Sequence, residues 1–232
     1  MKTVGLIGGM SWESSLTYYQ RINRQIKQRK GGLHSAPLIL YSVDFAHIAR
    51  LQHQNDWQQL AAYLASIGQS LETAGAQALV ICTNTMHKVA PQVANVVRIP
   101  LLHIGDALIT ASRVQGYQRV GLLGTQFTME QPFLREHLTA GGLTVLVPEQ
   151  EERDEVHRVI YEELCQGIIR EESLCRYQQI IDNLKAAGAE AVILGCTEIG
   201  LLVGAENSSL PVLDTALLHA DSVADFILSE SI

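Results

Sequence analysis

Two stretches of the sequence are close copies of each other: Ala74-Gly-Ala-Gln-Ala-Leu-Val-Ile-Cys-Thr83 and Ala187-Gly-Ala-Glu-Ala-Val-Ile-Leu-Gly-Cys-Thr197. Each contains a short apolar run, typical of a buried strand, that ends at a Cys-Thr pair. The copies begin 113 residues apart, and their cysteines are 114 residues apart. A repeat of this kind indicates that the chain contains two similar structural units.

Two shorter pairs of segments support the repeat. Val4-Gly-Leu-Ile-Gly8 resembles Val120-Gly-Leu-Leu-Gly124 at an offset of 116 residues, and Ile99-Pro-Leu-Leu102 resembles Leu210-Pro-Val-Leu213 at an offset of 111. All three pairs occur in the same order and at nearly the same offset. We therefore predict two lobes related by a pseudo-twofold axis.

Strand and helix patterns alternate along the chain. Apolar runs predict strands at 3–7, 37–43, 78–81, 120–123, 143–147 and 191–194, and helical patterns cover 14–29, 56–73, 155–169 and 172–187. Short, uniformly apolar strands separated by helices are typical of a parallel sheet covered on both faces. The predicted fold is α/β, with a mostly parallel sheet flanked by helices in each lobe. Lobe 1 comprises residues 1–98 and 212–232, and lobe 2 residues 99–211.

Composition excludes several classes of protein. Among 232 residues, 47% are apolar and 18% charged, which is ordinary for a globular protein. The net charge of −7 argues against a nucleic-acid partner or an anionic membrane surface. We find neither an apolar run long enough to cross a bilayer nor a signal-peptide pattern, and therefore expect a cytoplasmic protein. Without a secretory signal we expect no disulfide framework among the four cysteines. None of them forms a C-x-x-C pair, so we expect no zinc site either.

The repeat predicts a chemistry for two of the cysteines. Cys82 and Cys196 each end a core strand, and ligands of open α/β sheets bind at the carboxyl ends of the strands. We expect a helix after each, whose first backbone amides favour the thiolate. Two thiols on opposite sides of a cleft suit racemisation, in which one thiolate removes a proton from carbon and the other thiol returns one. No nucleotide-binding motif is found, so we expect no cofactor.

Each of these residues also has a purely structural interpretation. A cysteine at a strand end is most often a small apolar residue, but two at equivalent positions of a repeat favour a functional role. We interpret Cys165 and Cys175, which have no repeat partner, as structural. His87, five residues after Cys82, suggests either a Cys–His hydrolase or a supporting residue, and we favour the second. The Gly8-Gly9 pair either forms a turn or holds an anion.

Three motifs together resemble the aspartate/glutamate racemase family, especially its enterobacterial branch. They are Gly8-Gly9-Met10-Ser11, Cys82-Thr83-Asn84-Thr85-Met86-His87 and Gly195-Cys196-Thr197-Glu198. The resemblance implies a cofactor-independent, two-thiol enzyme in which Cys196 serves the L enantiomer and Cys82 the D enantiomer. It also implies a homodimer, and lobes that each take their last strand from the other half of the chain.

The resemblance implies roles for further residues. Six residues match family positions that hold the substrate or line its pocket, namely Met10, Ser11, Thr83, Asn84, Thr85 and Thr197. Arg50 matches an arginine that binds the side-chain carboxylate in aspartate-specific relatives. Those relatives carry a lysine where this chain has Gln166, so we expect specificity to extend to neutral polar amino acids.

Three functions from different classes remain open from the sequence. The first is an amino-acid racemase that uses no pyridoxal phosphate. The second is another enzyme on the same scaffold, such as a maleate isomerase or a decarboxylase. The third is a protein that binds a small ligand without turnover, which two cysteines at matched strand ends disfavour.

Overall fold

The computed structural model describes residues 1–230 as two units. One consists of residues 1–104 together with the segment from 219 onward, and the other of residues 105–218. Each unit has its own parallel sheet and its own apolar core. The predicted α/β class and the presence of two similar sheets are confirmed. Residues 231 and 232, which we assigned to lobe 1, lie outside the described part.

The sheet of the first unit has four parallel strands. In space their order is β2-β1-β3-β4. They are β1 (Val4–Gly8), β2 (Leu38–Ser42), β3 (Leu79–Ile81) and β4 (Leu101–Leu102). β1 and β3 lie in the centre and are fully buried, which explains why both consist of uniformly apolar or glycine residues.

Four helices follow these strands in the chain. They are α1 (Trp12–Lys30), α2 (Phe45–His53), α3 (Trp57–Thr73) and the short α4 (Ala90–Ala94). Asp44 and Asp56 cap α2 and α3, because their carboxylates accept hydrogen bonds from backbone N–H groups in the first turn. In α3, Leu60, Leu64 and Leu71 recur at helical spacing and are buried in the core.

The second unit repeats this arrangement. Its strands are parallel and have the order β6-β5-β7-β8. They are β5 (Arg119–Leu123), β6 (Thr144–Leu146), β7 (Ala191–Leu194) and β8 (Val212–Asp214). The helices are α5 (Ile104–Gln115), α6 (Gln126–Glu130), α7 (Pro132–Ala140), α8 (Gln150–Glu162) and α9 (Glu171–Ala186).

The observed unit boundaries differ from the predicted lobes. β4 pairs with β3 and β8 pairs with β7, so the fourth strand of each sheet comes from its own half of the chain. The chain passes from the first unit to the second between residues 104 and 105, and back to the first between residues 218 and 219. These boundaries lie six and seven residues after the predicted ones at 98/99 and 211/212. We expected a strand to be exchanged between halves, but the segment that returns to the first unit is helical.

That returning segment belongs to the last helix, α10 (Thr215–Leu228). Within the first unit, Arg21 of α1 makes two hydrogen bonds of 2.7 Å to the Asp221 carboxylate. His219 is fully buried, and its two ring nitrogens lie 2.8 Å from the Tyr18 hydroxyl and from the Leu102 carbonyl oxygen. Polar contacts therefore attach the end of the chain to α1 and β4.

One predicted helix has different limits. We expected a helix over 155–169, but α8 covers Gln150–Glu162 and a short 3₁₀ helix, Leu164–Gln166, follows it. Gly167 then takes a left-handed conformation with φ of 73°, which ends the helical segment. Among residues 1–230, no helix has the length and apolar character needed to cross a bilayer.

Gly9, which follows β1, allows a close backbone approach. Its φ is +89°, and a Cβ there would lie 2.3 Å from the Val43 carbonyl oxygen. Gly75 has a similar φ of +98° but no atom within 4 Å of such a Cβ.

We expect Gly75→Ala to lower the free energy of unfolding by about 1–2 kcal/mol, the cost of the left-handed backbone. Gly9→Ala should lower the free energy of unfolding by roughly 1–3 kcal/mol more than Gly75→Ala, because its Cβ would also overpack against the Val43 backbone.

Urea unfolding of both variants measures the difference. Equal losses of stability would show that the space beside Gly9 does not require glycine.

Candidate active site

Cys82 lies directly beyond β3, in the core of the first unit. Its backbone N–H donates to the Ile7 carbonyl oxygen at 3.0 Å, and its own carbonyl oxygen accepts from the Ser14 hydroxyl at 3.1 Å. These bonds tie Cys82 to β1 and α1. The side chain is fully buried, and this burial raises the pKa of the thiol far above its ordinary value. In the free protein Cys82 is therefore a protonated thiol at neutral pH.

A short 3₁₀ helix, Thr85–Val89, follows Cys82, where we had predicted a helix. Asn84 is buried, whereas Thr83 and Thr85 are partly exposed. Thr83, Asn84 and Thr85, three of the residues that the resemblance assigns to the substrate pocket, thus follow Cys82 at the carboxyl end of β3.

His87 stabilises this segment. Its ring Nδ1 lies 2.8 Å from the Thr83 carbonyl oxygen, and its Nε2 lies 3.1 Å from the Ile104 backbone N–H. A carbonyl only accepts and an amide only donates, so Nδ1 carries the proton and the ring is neutral. Burial lowers the pKa of His87 well below its usual value, and the neighbouring His103 and His219 lower it further. Both ring nitrogens of His87 are therefore engaged in hydrogen bonds to the backbone around Cys82 and Ile104.

The loop after β1 is fixed by serine hydroxyls. Ser15 Oγ accepts from the Gly9 backbone N–H at 2.7 Å and donates to the Ser11 carbonyl oxygen at 3.0 Å. Ser11 caps α1, because its Oγ accepts from the Ser14 backbone N–H. Met10 is buried in the core of the unit, whereas Ser11 is partly exposed. The conformation of this loop is thus fixed by contacts within the first unit.

Arg50, the expected partner of a side-chain carboxylate, is exposed on α2. Its Nη2 lies 2.8 Å from Nδ1 of His47, one turn earlier on the same helix. Because a guanidinium group only donates, His47 Nδ1 is the acceptor in this contact. His47 therefore orients the positive charge that the resemblance assigns to substrate recognition.

The second unit places Cys196 at the end of β7, after Gly195. Its Sγ donates to Glu198 Oε2 at 2.9 Å, and the Thr197 hydroxyl donates to the same oxygen at 2.8 Å. Burial and the Glu198 carboxylate both raise the pKa of the Cys196 thiol well above its ordinary value. A hydrogen bond from the Glu198 backbone N–H acts in the opposite direction, as predicted from the sequence, but is outweighed.

Three residues around the end of α8 accompany Cys196. Burial raises the pKa of the Tyr161 hydroxyl to about 12, and the nearby Cys196 and Cys165 add to the rise. Gln166 is exposed, and its Nε2 lies 3.4 Å from the Tyr161 carbonyl oxygen. Cys165 lies close enough to Cys196 to add to the rise in the pKa of that thiol. The structure thus brings Gln166 to the same end of the second unit as Cys196 and Thr197.

Sequence reasoning missed three residues that contact or surround the cysteines. Ser14 has no sequence signal, because its bond to Cys82 joins a helix to a strand end. Tyr161 has none either, because its proximity to Cys196 depends on the packing of α8. Glu198 stands in the Gly195-Cys196-Thr197-Glu198 motif, where a carboxylate two residues after a cysteine is a usable signal.

Comparisons with known proteins show what the chain is similar to. The family profile described as Asp/Glu/Hydantoin racemase matches residues 7–223. A Yersinia pestis protein of known structure, assigned to the Asp/Glu racemases, is 51% identical, with a TM-score of 0.95 over 99% of this chain and 100% of that one. An aspartate racemase homologue from Pyrococcus horikoshii is 33% identical, with a TM-score of 0.87 over 99% and 100% of the two chains.

A more distant relative is the glutamate racemase of Thermus thermophilus. It is 29% identical over 168 residues, which are 68% of this chain and 58% of that protein. The chain therefore matches little more than half the length of this relative.

The neutral state of His87 predicts a pH dependence of stability. The unfolded chain protonates this histidine near pH 6.5, whereas the folded protein does not, so the unfolded state binds more protons below that pH. Stability should therefore fall as the pH drops below about 6.5, by up to about 1.4 kcal/mol per pH unit from this residue.

His87→Gln should lose less stability than the wild type between pH 7.5 and 5.5, as measured by urea unfolding at both values. The exposed His34 gives a control, because His34→Gln should leave the pH dependence unchanged. A His87→Gln variant with the wild-type pH dependence would mean that His87 is protonated in the folded protein.

Proposed function

Because the chain belongs to the Asp/Glu/hydantoin racemase family, we propose that it racemises amino acids with two cysteine thiols and no cofactor. The observation that carries this proposal is the equivalence of Cys82 and Cys196. Each follows the third strand in the order of its sheet, β3 in one unit and β7 in the other. The repeat in the sequence thus corresponds to a repeat in topology, with one thiol within two residues of the end of the same strand in each copy.

The proposed reaction needs one thiolate and one thiol. The thiolate takes the α-proton of the amino acid, the C–H electron pair stays on carbon as a carbanion, and the other thiol delivers its proton to the opposite face. The products are the mirror-image amino acid and a pair of cysteines with exchanged protonation. The two enantiomers have equal free energy, so the overall reaction requires no energy source or redox partner.

The environments of the two thiols suit this chemistry. Burial raises the pKa of both. A thiolate with a raised pKa is a stronger base towards a weakly acidic C–H group, and its conjugate thiol holds the returned proton until it is needed. The raised pKa also lowers the population of thiolate in the free protein. We therefore propose that binding of the substrate, with its positively charged ammonium group, favours ionisation of one thiol.

The substrate contacts follow the resemblance. We propose that Asn84, Thr85 and Thr197 bind the amino and carboxylate groups, with Thr83, Met10 and Ser11 lining the pocket. Arg50 and Gln166 are proposed to face the substrate side chain. Because Gln166 replaces the lysine of aspartate-specific relatives, Arg50 would be the one cation, instead of two, that selects for a side-chain carboxylate. The homodimer and the cytoplasmic location also remain predictions, the first of which sedimentation velocity can check.

Substituting the two cysteines tests the mechanism. Cys82→Ser and Cys196→Ser should each lower racemisation by at least roughly 100-fold, since a hydroxyl is a much weaker acid than a thiol and replaces it poorly in proton transfer. Cys175→Ser, at an exposed position on α9, is the matched control and should keep the wild-type rate. Cys165→Ser, also exposed, should keep it as well.

Proton exchange in D₂O separates the roles of the two thiols. NMR of the α-proton should show that Cys82→Ser still exchanges the L enantiomer and Cys196→Ser the D enantiomer, because each variant retains one base. Aspartate, glutamate and neutral amino acids should all be offered. Wild-type protein that neither racemises nor exchanges any of them would exclude the function, whereas full activity of either variant would exclude that thiol.

Substitution of Gln166 tests the specificity. A charge-assisted hydrogen bond contributes about 1.5–3 kcal/mol, so Gln166→Lys should raise kcat/KM for aspartate relative to homoserine or asparagine by roughly 10- to 150-fold. The control is Gln179→Lys, which adds the same charge at an exposed position on α9. If both variants keep the wild-type ratio, Gln166 does not face the substrate side chain.

A further inference from the structure

The Glu198 carboxylate joins two groups of the proposed site through one oxygen atom. Oε2 accepts from the Cys196 thiol at 2.9 Å and from the Thr197 hydroxyl at 2.8 Å. All three residues are partly buried, at the start of the 3₁₀ helix Thr197–Leu201 that follows β7. Oε2 thus acts as the acceptor of both hydrogen bonds.

The other thiol has no such partner. Among residues 1–230, no carboxylate is hydrogen-bonded to the Cys82 thiol, and burial alone raises its pKa. The two cysteines occupy equivalent positions in the repeat but have different neighbours. Glu198 therefore distinguishes one half of the site from the other.

A thiol and a carboxylate in direct contact share a single negative charge. Ionising both would place two like charges about 3 Å apart in a partly buried site, which is unfavourable. Moving the proton from sulfur to oxygen, by contrast, leaves the total charge unchanged. The pair can therefore produce a thiolate without adding a second charge to the site.

We propose that Glu198 is a positioning residue that orients the Cys196 thiol and takes its proton when Cys196 acts as the base. In this step the S–H bond breaks, its electron pair stays on sulfur, and an O–H bond forms on Glu198 Oε2. The thiolate then removes the α-proton and becomes a thiol again, and Glu198 keeps the first proton until the product leaves. The inference rests on the proposed racemase function and adds a residue to it.

Glu198→Gln tests this role, because glutamine keeps the size and a hydrogen bond but neither the charge nor the ability to take the proton. Exchange of the α-proton that Cys196 removes should fall roughly 100-fold. The Cys196 thiol should at the same time ionise more readily, which its alkylation by iodoacetamide measures. Without the neighbouring charge, its rate should reach half its maximum about one pH unit lower than in the wild type.

The alkylation can be assigned to one residue. Each of the four cysteines falls in a different tryptic peptide, so mass spectrometry can follow Cys196 alone. The other titratable groups that interact with Cys196 are Cys165, Tyr161 and Tyr177, and none is changed by the substitution. A change in accessibility alters the rate of alkylation but not the pH of its midpoint, which reports the charge beside the Cys196 thiol, whereas the exchange rate reports the loss of the proton acceptor.

Two further variants complete the experiment. Glu206→Gln removes an exposed carboxylate of the same unit and should change neither measurement. Glu198→Asp keeps the charge but withdraws it by one methylene, so it should keep the alkylation midpoint and lose at least about tenfold in exchange. If Glu198→Gln fails to fold, the exchange rate of Glu198→Asp tests the proposal by itself. Exchange at the wild-type rate in Glu198→Asp would overturn the proposal.

The results distinguish this inference from the function on which it rests. Slower exchange with a lower midpoint in Glu198→Gln supports the proposal, and an unchanged midpoint or unchanged exchange overturns it. Wild-type protein without any racemisation or exchange overturns the proposed function instead. In that case a lowered midpoint would still show that Glu198 controls the charge of Cys196.

Discussion

The hydrogen bonds that continue each parallel ladder beyond its last strand residue determine where the cysteines stand. The Cys82 backbone N–H donates to the Ile7 carbonyl oxygen at 3.0 Å, and the Gly195 N–H donates to the Leu123 carbonyl oxygen at 2.6 Å. Each bond fixes the chain at the point where a core strand ends and the turn begins. The burial of the thiols and the neighbours that they meet both follow from this constraint.

The same constraint explains the irregularity of the repeat. The second copy has one more residue before its cysteine, which changes the offset from 113 to 114. That residue is Gly195, where a Cβ would lie 2.8 Å from the Leu123 carbonyl oxygen. As a result, Cys82 itself continues the ladder in the first unit, whereas in the second unit Gly195 does so and Cys196 lies one residue further along. Cys196 is a partly exposed residue whose thiol contacts Glu198, whereas Cys82 is fully buried.

The sequence predicts the sheets better than it predicts the side-chain contacts. Uniformly apolar runs locate β1, β3, β5 and β7, because central parallel strands must be buried on both faces. The short edge strand β4 has only two residues, too few to show a pattern, and its pairing with β3 moves the unit boundary beyond residue 98. The raised pKa of both thiols was missed, because burial and the contact with Glu198 depend on the three-dimensional path of the turns.

The path of α10 has a consequence for the order in which the protein matures on the ribosome. Residues 105–218 form a continuous segment, whereas the first unit includes His219 and Asp221, which bond to α1. Translation therefore supplies every residue of the second unit before it supplies the part of α10, from His219 onward, that completes the first. The sheet of the first unit is synthesised before that of the second, but part of α1 stays uncovered until α10 has been made. The second unit is therefore the first of the two whose residues are all present.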